Sequence, residues 1–271
     1  MASPMIAAQD NAALQVLRDT LPQSLLINAE PGLDEEAVVE ALLETEPSEI
    51  VRLAPEEGKK YISIEQVRNA LAKLVTYAQA RRVVVIRPAD SMTPEAQNAL
   101  LKTLEEPNAG LHFILVRSGD EPLLPTIYSR CQILTLHRTS LKQDKAQLEA
   151  LKLDAQTAQQ VLFLAAGRPA LIRRLARQPK LLREYQSLVT DAKHIVSAPQ
   201  TYETLRTLHT YASNRDNALR LLDVAATIVR FQLKRGGSDT SLARYVDTIG
   251  HAQAALKQNA NVKLALLELV S

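Results

Sequence analysis

The chain has little glycine and few aromatic residues. Its 271 residues include eight glycines, about 3% against a usual ~7%, and aromatic residues make up 4% with no tryptophan. No GxGxxG, GxxxxGKS or GxxxxGKT motif occurs, so the sequence gives no support for a glycine-rich phosphate-binding loop. The shortage of aromatic rings likewise disfavours a platform on which single-stranded bases stack.

Cysteine is almost absent too, because Cys131 is the single one. That excludes an internal disulfide framework and a zinc site built from several cysteines, and the five histidines lack metal-binding spacing. No apolar run approaches the roughly 20 residues of a membrane-spanning helix. The N-terminal stretch MASPMIAAQDNAAL has no basic or apolar segment typical of a secretory signal. We therefore expect a cytoplasmic protein that binds no metal.

Charge is unevenly distributed behind a formal net charge of +2. Residues 1–57 contain 12 Asp and Glu against 2 Lys and Arg, a net charge of −10, so the remainder carries +12. Such polarity favours electrostatic complementarity with partners, or contact of the basic part with a phosphate backbone. Segregated solvated helix faces are the alternative.

Strand and helix patterns alternate in the first half of the chain. Strands are predicted at 24–28, 49–53, 83–86, 112–116 and 132–136, of which 24–28 and 83–86 are expected to be buried, and helices at 11–20, 34–44, 63–80 and 93–104. The longest two helices begin with a Ser63-x-x-Gln66 capping box and with Thr93 as N-cap before Pro94, and Pro107 ends the latter. Helices between buried strands indicate an α/β fold, a parallel sheet covered on both faces.

The second half shows helical patterns alone. Helices are predicted at 141–153, 157–166, 169–177, 181–196, 201–211, 215–234, 241–257 and 260–270. Gly167 is expected just after the second of these, where a left-handed backbone ends many helices. A boundary near 178–179 divides this all-α half into two pieces.

The segment TPEAQNALLKTLEEP at 93–107 is followed by HFILV and then by LLPTIYSRCQILTL, and this combination is long and specific. It resembles the clamp-loader branch of the AAA+ ATPases, which includes the gamma/tau and delta-prime subunits of bacterial DNA polymerase III. IEQVR at 64–68, GRPA at 167–170 and NANVKLALLELV at 259–270 add to the resemblance. It implies an AAA+ α/β domain at 1–138, a helical lid domain at 139–178 and a helical collar for oligomerisation at 179–271.

Active members of that family bind ATP phosphates with a P-loop and its lysine. Here the stretch after the first strand reads NAEPGLDEE at 28–36, with Gly32 retained but Ala29 and Asp34 in place of glycines. Glu35 falls at the position of the lysine. A carboxylate there would repel a triphosphate, so the resemblance implies a degenerate nucleotide site.

The other elements of that site are replaced as well. Arg87 and Pro88 stand where the family has an Asp-Glu pair that binds Mg²⁺ and activates water. Arg117 or Ser118 occupies the position that senses the γ-phosphate, and Ala170 the position of an arginine in the small domain. We therefore predict that this chain neither hydrolyses ATP nor carries a cofactor.

The Ser129-Arg130-Cys131 motif is retained. In this family its arginine reaches the γ-phosphate of ATP in a neighbouring subunit, where a guanidinium offers several donors and a permanent charge. The resemblance therefore implies that Arg130 is an arginine finger acting in trans, with Ser129 and Cys131 supporting the motif. The alternative is a structural arginine paired with an acidic neighbour, and Cys131 is expected to be a small buried residue.

Other charged groups are less specific. Glu105 and Glu106 could bridge to a partner or simply be solvated, and Lys102 could approach DNA phosphates. A basic cluster could contact DNA or a partner or lie on the solvated surface; it contains Arg173, Arg174, Arg177 and Lys180.

The resemblance thus implies a non-hydrolysing, delta-prime-like subunit of the clamp loader. The resemblance implies assembly with gamma/tau and delta subunits, loading of the β sliding clamp on primed DNA, and a non-catalytic place in the DNA polymerase III holoenzyme. The alternatives are an active gamma/tau-type ATPase, the delta subunit, and a free-standing DNA-binding protein with steeply salt-dependent binding.

Overall fold

The computed structural model describes residues 5–44, 47–73, 81–106, 108–119, 121–197, 202–236, 240–258 and 260–270. The chain forms two compact units, one of Met1–Asp154 with Ala165–Arg173 and the other of Ala155–Leu164 with Arg174–Ser271. The predicted stop at Pro107 and the predicted continuation of a helix over 74–80 lie outside the described residues. The three-domain division stays a prediction.

A parallel five-stranded sheet forms the centre of the first unit. Its strands are β1 (Ser24–Asn28), β2 (Glu49–Leu53), β3 (Arg82–Ile86), β4 (Leu111–Arg117) and β5 (Gln132–Thr135). Their spatial order is β2-β3-β4-β1-β5. Leu26 of β1 lies opposite Leu115 of β4 on one side and Ile133 of β5 on the other. The parallel sheet expected from the sequence is therefore confirmed.

Helices cover both faces of this sheet. They are α1 (Ala8–Asp19), α2 (Glu35–Leu43), α3 (Ile64–Lys73), α4 (Pro94–Glu105) and α5 (Pro125–Tyr128). A further helix, α6 (Leu141–Ala150), follows β5 in the chain. Leu25 and Ile27 belong to one buried cluster with residues of α1 and α2, whereas Leu26 belongs to another with residues of α3 and α4. Successive side chains of a strand point to opposite faces, so a strand buried on both faces must be apolar throughout.

Two predicted helix starts have the expected caps. The Ser63 hydroxyl accepts a hydrogen bond from the Gln66 backbone N–H at 3.4 Å, and the Gln66 side chain accepts one from the Ser63 N–H at 3.0 Å. Thr93 Oγ1 accepts a bond from the Ala96 N–H at 3.2 Å. Each cap satisfies donors that the first helical turn leaves without partners.

The short helix α5 was not predicted from the sequence. Four residues are too few to show a 3.6-residue repeat, and Pro125 at its start is the single local signal. The helix is held by Ile127 and by the preceding Leu123, which are both buried in the sheet core. Its position matters because it ends directly before the Ser129-Arg130-Cys131 motif.

Further helices run along the rest of the chain. They are α7 (Ala155–Ala165), α8 (Pro169–Arg177), α9 (Pro179–Ser197), α10 (Tyr202–Tyr211), α11 (Arg215–Gly236), α12 (Thr240–Lys257) and α13 (Val262–Leu267). In the second unit, buried side chains of α9, α11 and α12 form one apolar core, which includes Ile195, Val229 and Ile249. Asn261 caps α13, accepting bonds from the N–H groups of Lys263 at 3.0 Å and Leu264 at 3.3 Å.

The last helix thus begins at the Asn261 cap, while Asn259 lies outside the described residues. None of the helices within the described ranges has both the length and the apolar content needed to cross a bilayer.

Replacing Gly167 by alanine should destabilise the fold more than the same change at Gly58. Both have a left-handed backbone, with φ of +82° and +76°, which costs other residues about 1–2 kcal/mol. A Cβ at Gly167 would also lie 2.8 Å from Arg138 Cβ and 2.9 Å from the Thr139 carbonyl oxygen, whereas none of the described residues comes within 4 Å of one at Gly58. Urea unfolding of the two variants measures the difference; equal losses would contradict this packing.

Candidate functional site

The loop predicted to be a degenerate phosphate-binding segment joins β1 to α2 and binds the start of α8. Gly32 has a φ of +93°, a conformation that favours glycine. Its carbonyl accepts hydrogen bonds from the backbone N–H groups of Ala170 at 3.0 Å and Leu171 at 3.3 Å. These N–H groups lie in the first turn of α8, which provides no partners for them. The loop therefore supplies the cap of α8.

Arg87, directly after β3, contacts the start of α2. Its Nη2 donates to Glu35 Oε1 at 3.2 Å, and its Nη1 lies 3.4 Å from Glu36 Oε1. The Glu35 side chain is 10% exposed, whereas that of Glu36 is 73% exposed. Burial raises the pKa of the Glu35 carboxyl above its usual range, although a backbone hydrogen bond and Arg87 act in the opposite direction. The Arg87–Pro88 peptide bond is cis.

Two more carboxylates of the loop bind arginines. Buried Asp34 forms an ion pair with Arg173 of α8 and accepts a hydrogen bond from the Met5 N–H at 3.0 Å. Glu30 pairs with Arg138 at 2.6 Å. We name the Glu35–Arg87, Asp34–Arg173 and Glu30–Arg138 contacts the loop ion pairs. Arg173 thus binds a buried carboxylate while its side chain remains 30% exposed, and contact of the basic cluster with DNA or a partner stays a prediction.

The two candidates for the γ-phosphate-sensing position are held by neighbouring groups. Arg117 Nε donates to the Glu121 carbonyl at 3.3 Å, and the Ser118 N–H donates to Asp90 Oδ1 at 3.2 Å. Asp90 also lies close to Gly119, since a Cβ added at Gly119 would be 2.1 Å from Asp90 Oδ2.

Among the residues that the structure describes, no group of three or more His, Cys, Asp or Glu side chains could hold a metal ion.

The motif carrying Arg130 lies in the turn between α5 and β5. The Arg130 N–H donates to the Ile127 carbonyl at 3.1 Å, and the Ser129 hydroxyl donates to the Thr126 carbonyl at 3.1 Å. Farther along, the buried side chain of Gln97 in α4 accepts a bond from the Leu124 N–H at 2.8 Å. The two sequence segments that carry the family resemblance are therefore joined by a hydrogen bond.

The Arg130 guanidinium makes four hydrogen bonds within its own chain. Its Nε and Nη2 both donate to Glu105 Oε2, at 3.1 and 2.8 Å. Its Nη1 donates to the Thr126 carbonyl at 3.2 Å and to Ser129 Oγ at 3.3 Å. The Arg130 side chain remains 29% exposed. Ser129 thus contacts Arg130 directly, and an acidic neighbour does pair with it.

Cys131 is partly buried beside the sheet core. Burial raises the pKa of its thiol to about 11. A thiol with such a pKa is almost entirely protonated at neutral pH and is a poor nucleophile, because the thiolate is the reactive form. Cys131 therefore packs against the core rather than offering a reactive group.

Sequence reasoning missed several partners of these side chains. Arg138 and Arg173 bind carboxylates that lie 108 and 139 residues earlier in the chain. No local sequence spacing can predict pairs so far apart. Gln97 carried a weak signal, since it is a polar residue among the apolar positions of α4. Glu105 was considered as a bridge to a partner, but its contact with Arg130 was not foreseen.

Comparisons with known proteins agree with the resemblance. Residues 13–140 match the family described as DNA polymerase III, delta subunit. A segment of 146 residues is 36% identical to DNA polymerase III subunit delta' of Pseudomonas aeruginosa, covering 51% of this chain and 43% of that protein. The match to the Escherichia coli delta' subunit is 29% identical over 243 residues and covers 78% of this chain and 70% of that protein. The matched region therefore spans less than half of the Pseudomonas relative.

The fold has a counterpart among solved structures. A gamma subunit-related protein of DNA polymerase III from Thermotoga maritima superposes with a TM-score of 0.56 and 19% identity, covering 97% of both chains. That similarity shows that this chain shares its fold, a five-stranded parallel sheet with helices and further helical parts, with the Thermotoga protein. In sequence, residues 13–140 of this chain are thus similar to the DNA polymerase III delta-subunit family, and a weaker similarity to the delta' subunit extends over 78% of the chain.

Proposed function

We propose that this chain is a non-hydrolysing subunit of the bacterial clamp loader that supplies Arg130 in trans to ATP bound by a neighbouring gamma/tau-type subunit. With gamma/tau and delta subunits it would load the β sliding clamp onto primed DNA. The proposal rests above all on the pairing of Glu35 with Arg87, at the positions where the family has a phosphate-binding lysine and a Mg²⁺-binding carboxylate.

Electrostatics at the loop oppose nucleotide binding. A triphosphate placed at this loop would approach Glu35 without a lysine to neutralise it, and repulsion between like charges is strong where water is excluded. Arginines near the loop could offset this, but those of the loop ion pairs already bind carboxylates. Mg²⁺ prefers oxygen ligands, and Arg87 and Pro88 offer no side-chain oxygen at its expected position.

Arg130 is suited to act on a phosphate outside its own chain. Its guanidinium is held on a turn that α5 and Gln97 anchor to the sheet, and 29% of the side chain is exposed. A fixed, exposed guanidinium can stabilise the charge that accumulates on phosphate oxygens in the transition state. Arginine fingers in related chemistry accelerate hydrolysis by about 10³–10⁵.

Calorimetry tests the loss of nucleotide binding. The full chain should show no tight, Mg²⁺-dependent binding when it is titrated with ATP, because the loop presents carboxylates in place of the lysine and the metal ligands. Titration of the gamma/tau subunit of the same organism, which is expected to bind, controls for the quality of the nucleotide. Tight binding by this chain would favour an active gamma/tau-type ATPase instead.

Replacing Glu35 by glutamine should stabilise the protein more at pH 8 than at pH 4. The raised pKa means that the native state holds the Glu35 proton more tightly than the unfolded state. The contribution of Glu35 to the free energy of unfolding of the wild type therefore falls as the pH rises from about 4.5 through the raised pKa. Glutamine keeps an acceptor for Arg87 and removes the buried charge.

Urea unfolding at several pH values measures this effect. Glu36→Gln is the matched control, because Glu36 contacts the same guanidinium but its side chain is 73% exposed. A Glu35→Gln gain that does not change with pH, or an equal pH dependence in both variants, would argue against a buried charge at Glu35.

Replacing Arg130 by alanine should slow ATP hydrolysis by a reconstituted complex of gamma/tau, delta and this chain. Single-turnover hydrolysis at the site that Arg130 serves should fall at least about tenfold, since fingers of this type contribute more than that. Arg130→Lys keeps the charge but loses the planar donor set, so it should restore little. Size-exclusion chromatography checks that assembly is intact, and unchanged hydrolysis in an assembled complex would refute the role of Arg130.

A further inference from the structure

The end of α4 and the turn after α5 meet at a pair of charged side chains. Glu105 is the last residue of α4, and Arg130 follows α5. They are 25 residues apart, and Glu105 Oε2 accepts from both Nε and Nη2 of Arg130. One carboxylate oxygen thus binds one edge of the guanidinium.

The opposite end of the guanidinium is fixed by the turn itself. Nη1 donates to the Thr126 carbonyl and to Ser129 Oγ. Together with the two bonds to Glu105, these contacts fix the plane of the group from two directions. A guanidinium carries five N–H groups, so four bonds leave at least one N–H of Arg130 for an incoming anion.

We propose that Glu105 is a positioning residue for Arg130, which orients the guanidinium so that its remaining donor faces the phosphate of a neighbouring subunit. This inference rests on the proposed role of Arg130 and adds to it a residue on α4 that does not touch the nucleotide. It also gives a function to Glu105, for which the sequence alone allows either solvation or contact with a partner.

The exposure of the pair favours orientation over stability. The side chain of Glu105 is 59% exposed and that of Arg130 is 29% exposed. Ion pairs at such sites contribute little to the free energy of folding, because water and salt screen them. Two hydrogen bonds to one oxygen nevertheless restrict the side-chain rotamers, and that restriction lowers the entropy lost when Arg130 meets a phosphate.

Substitutions of Glu105 can separate the effect of its hydrogen-bond acceptor from the effect of its negative charge. Glu105→Gln retains an oxygen that can accept from Nε and Nη2 but removes the negative charge, whereas Glu105→Ala removes both. If orientation is the role of Glu105, glutamine should preserve the rate of hydrolysis and alanine should not. Glu106→Ala is the matched control, because it removes the same charge from the next residue along the chain.

The test uses complexes of gamma/tau, delta and the full-length variants, with single-turnover and steady-state ATP hydrolysis as readouts. Glu105→Ala should lower kcat by about three- to tenfold at unchanged KM for ATP, since misorienting a catalytic group costs less than removing it. Glu105→Gln and Glu106→Ala should remain near the wild-type rate. Glu105→Ala combined with Arg130→Ala should be no slower than Arg130→Ala alone.

The outcomes separate this inference from the proposed function. Unchanged hydrolysis with Arg130→Ala would refute the role of Arg130 itself. If Arg130→Ala slows hydrolysis but Glu105→Ala does not, or if the two losses multiply, the positioning role is overturned while the finger stands. Should Glu105→Ala fail to assemble, Glu105→Asp carries the same test, because its carboxylate is one methylene too short to keep both bonds.

Discussion

Neutralisation of an acidic loop by arginines of the same chain is the interaction on which this structure depends. Glu30, Asp34 and Glu35 lie between β1 and the first turn of α2, and the arginines that bind them come from three other parts of the chain. Removing one arginine would leave a carboxylate uncompensated, and the cost is greatest where the carboxylate is buried. The loop is therefore both an electrostatic centre and a structural joint, since the carbonyl of Gly32 also caps α8.

That arrangement gives the first unit two chemically different regions. At the loop, three arginines bind carboxylates of the same chain, so an external anion would have to compete with those carboxylates for them. Near the end of α4, Arg130 is held by Glu105 and by its own turn, yet it remains partly exposed. The arginines of the loop ion pairs bind carboxylates of the same chain, whereas the Arg130 guanidinium remains partly exposed. This division is consistent with a subunit that serves a neighbour's nucleotide rather than its own.

The order of strands and helices could be predicted because it depends on local patterns. The apolar runs of β1, β3 and β4 have the length and branching of buried strands, and Thr93 with Pro94 marks the start of α4. The same reasoning failed for α5, which is too short for a helical repeat and is held by the packing of Ile127 and Leu123. The partners of Arg173 and Arg138 were also missed, because each pair joins segments more than a hundred residues apart.

The sequence by itself determined the family resemblance, the parallel sheet and the carboxylate of Glu35 in the segment after β1. These depend on residue identity and on short-range spacing. Tertiary structure alone decided what became of the charges: the acidic loop is neutralised from within, and Arg130 is oriented by Glu105. The reason is physical, since an ion pair is selected by distance in space, and the folding of the sheet, not the order of residues, brings Arg87 to Glu35 and Glu105 to Arg130.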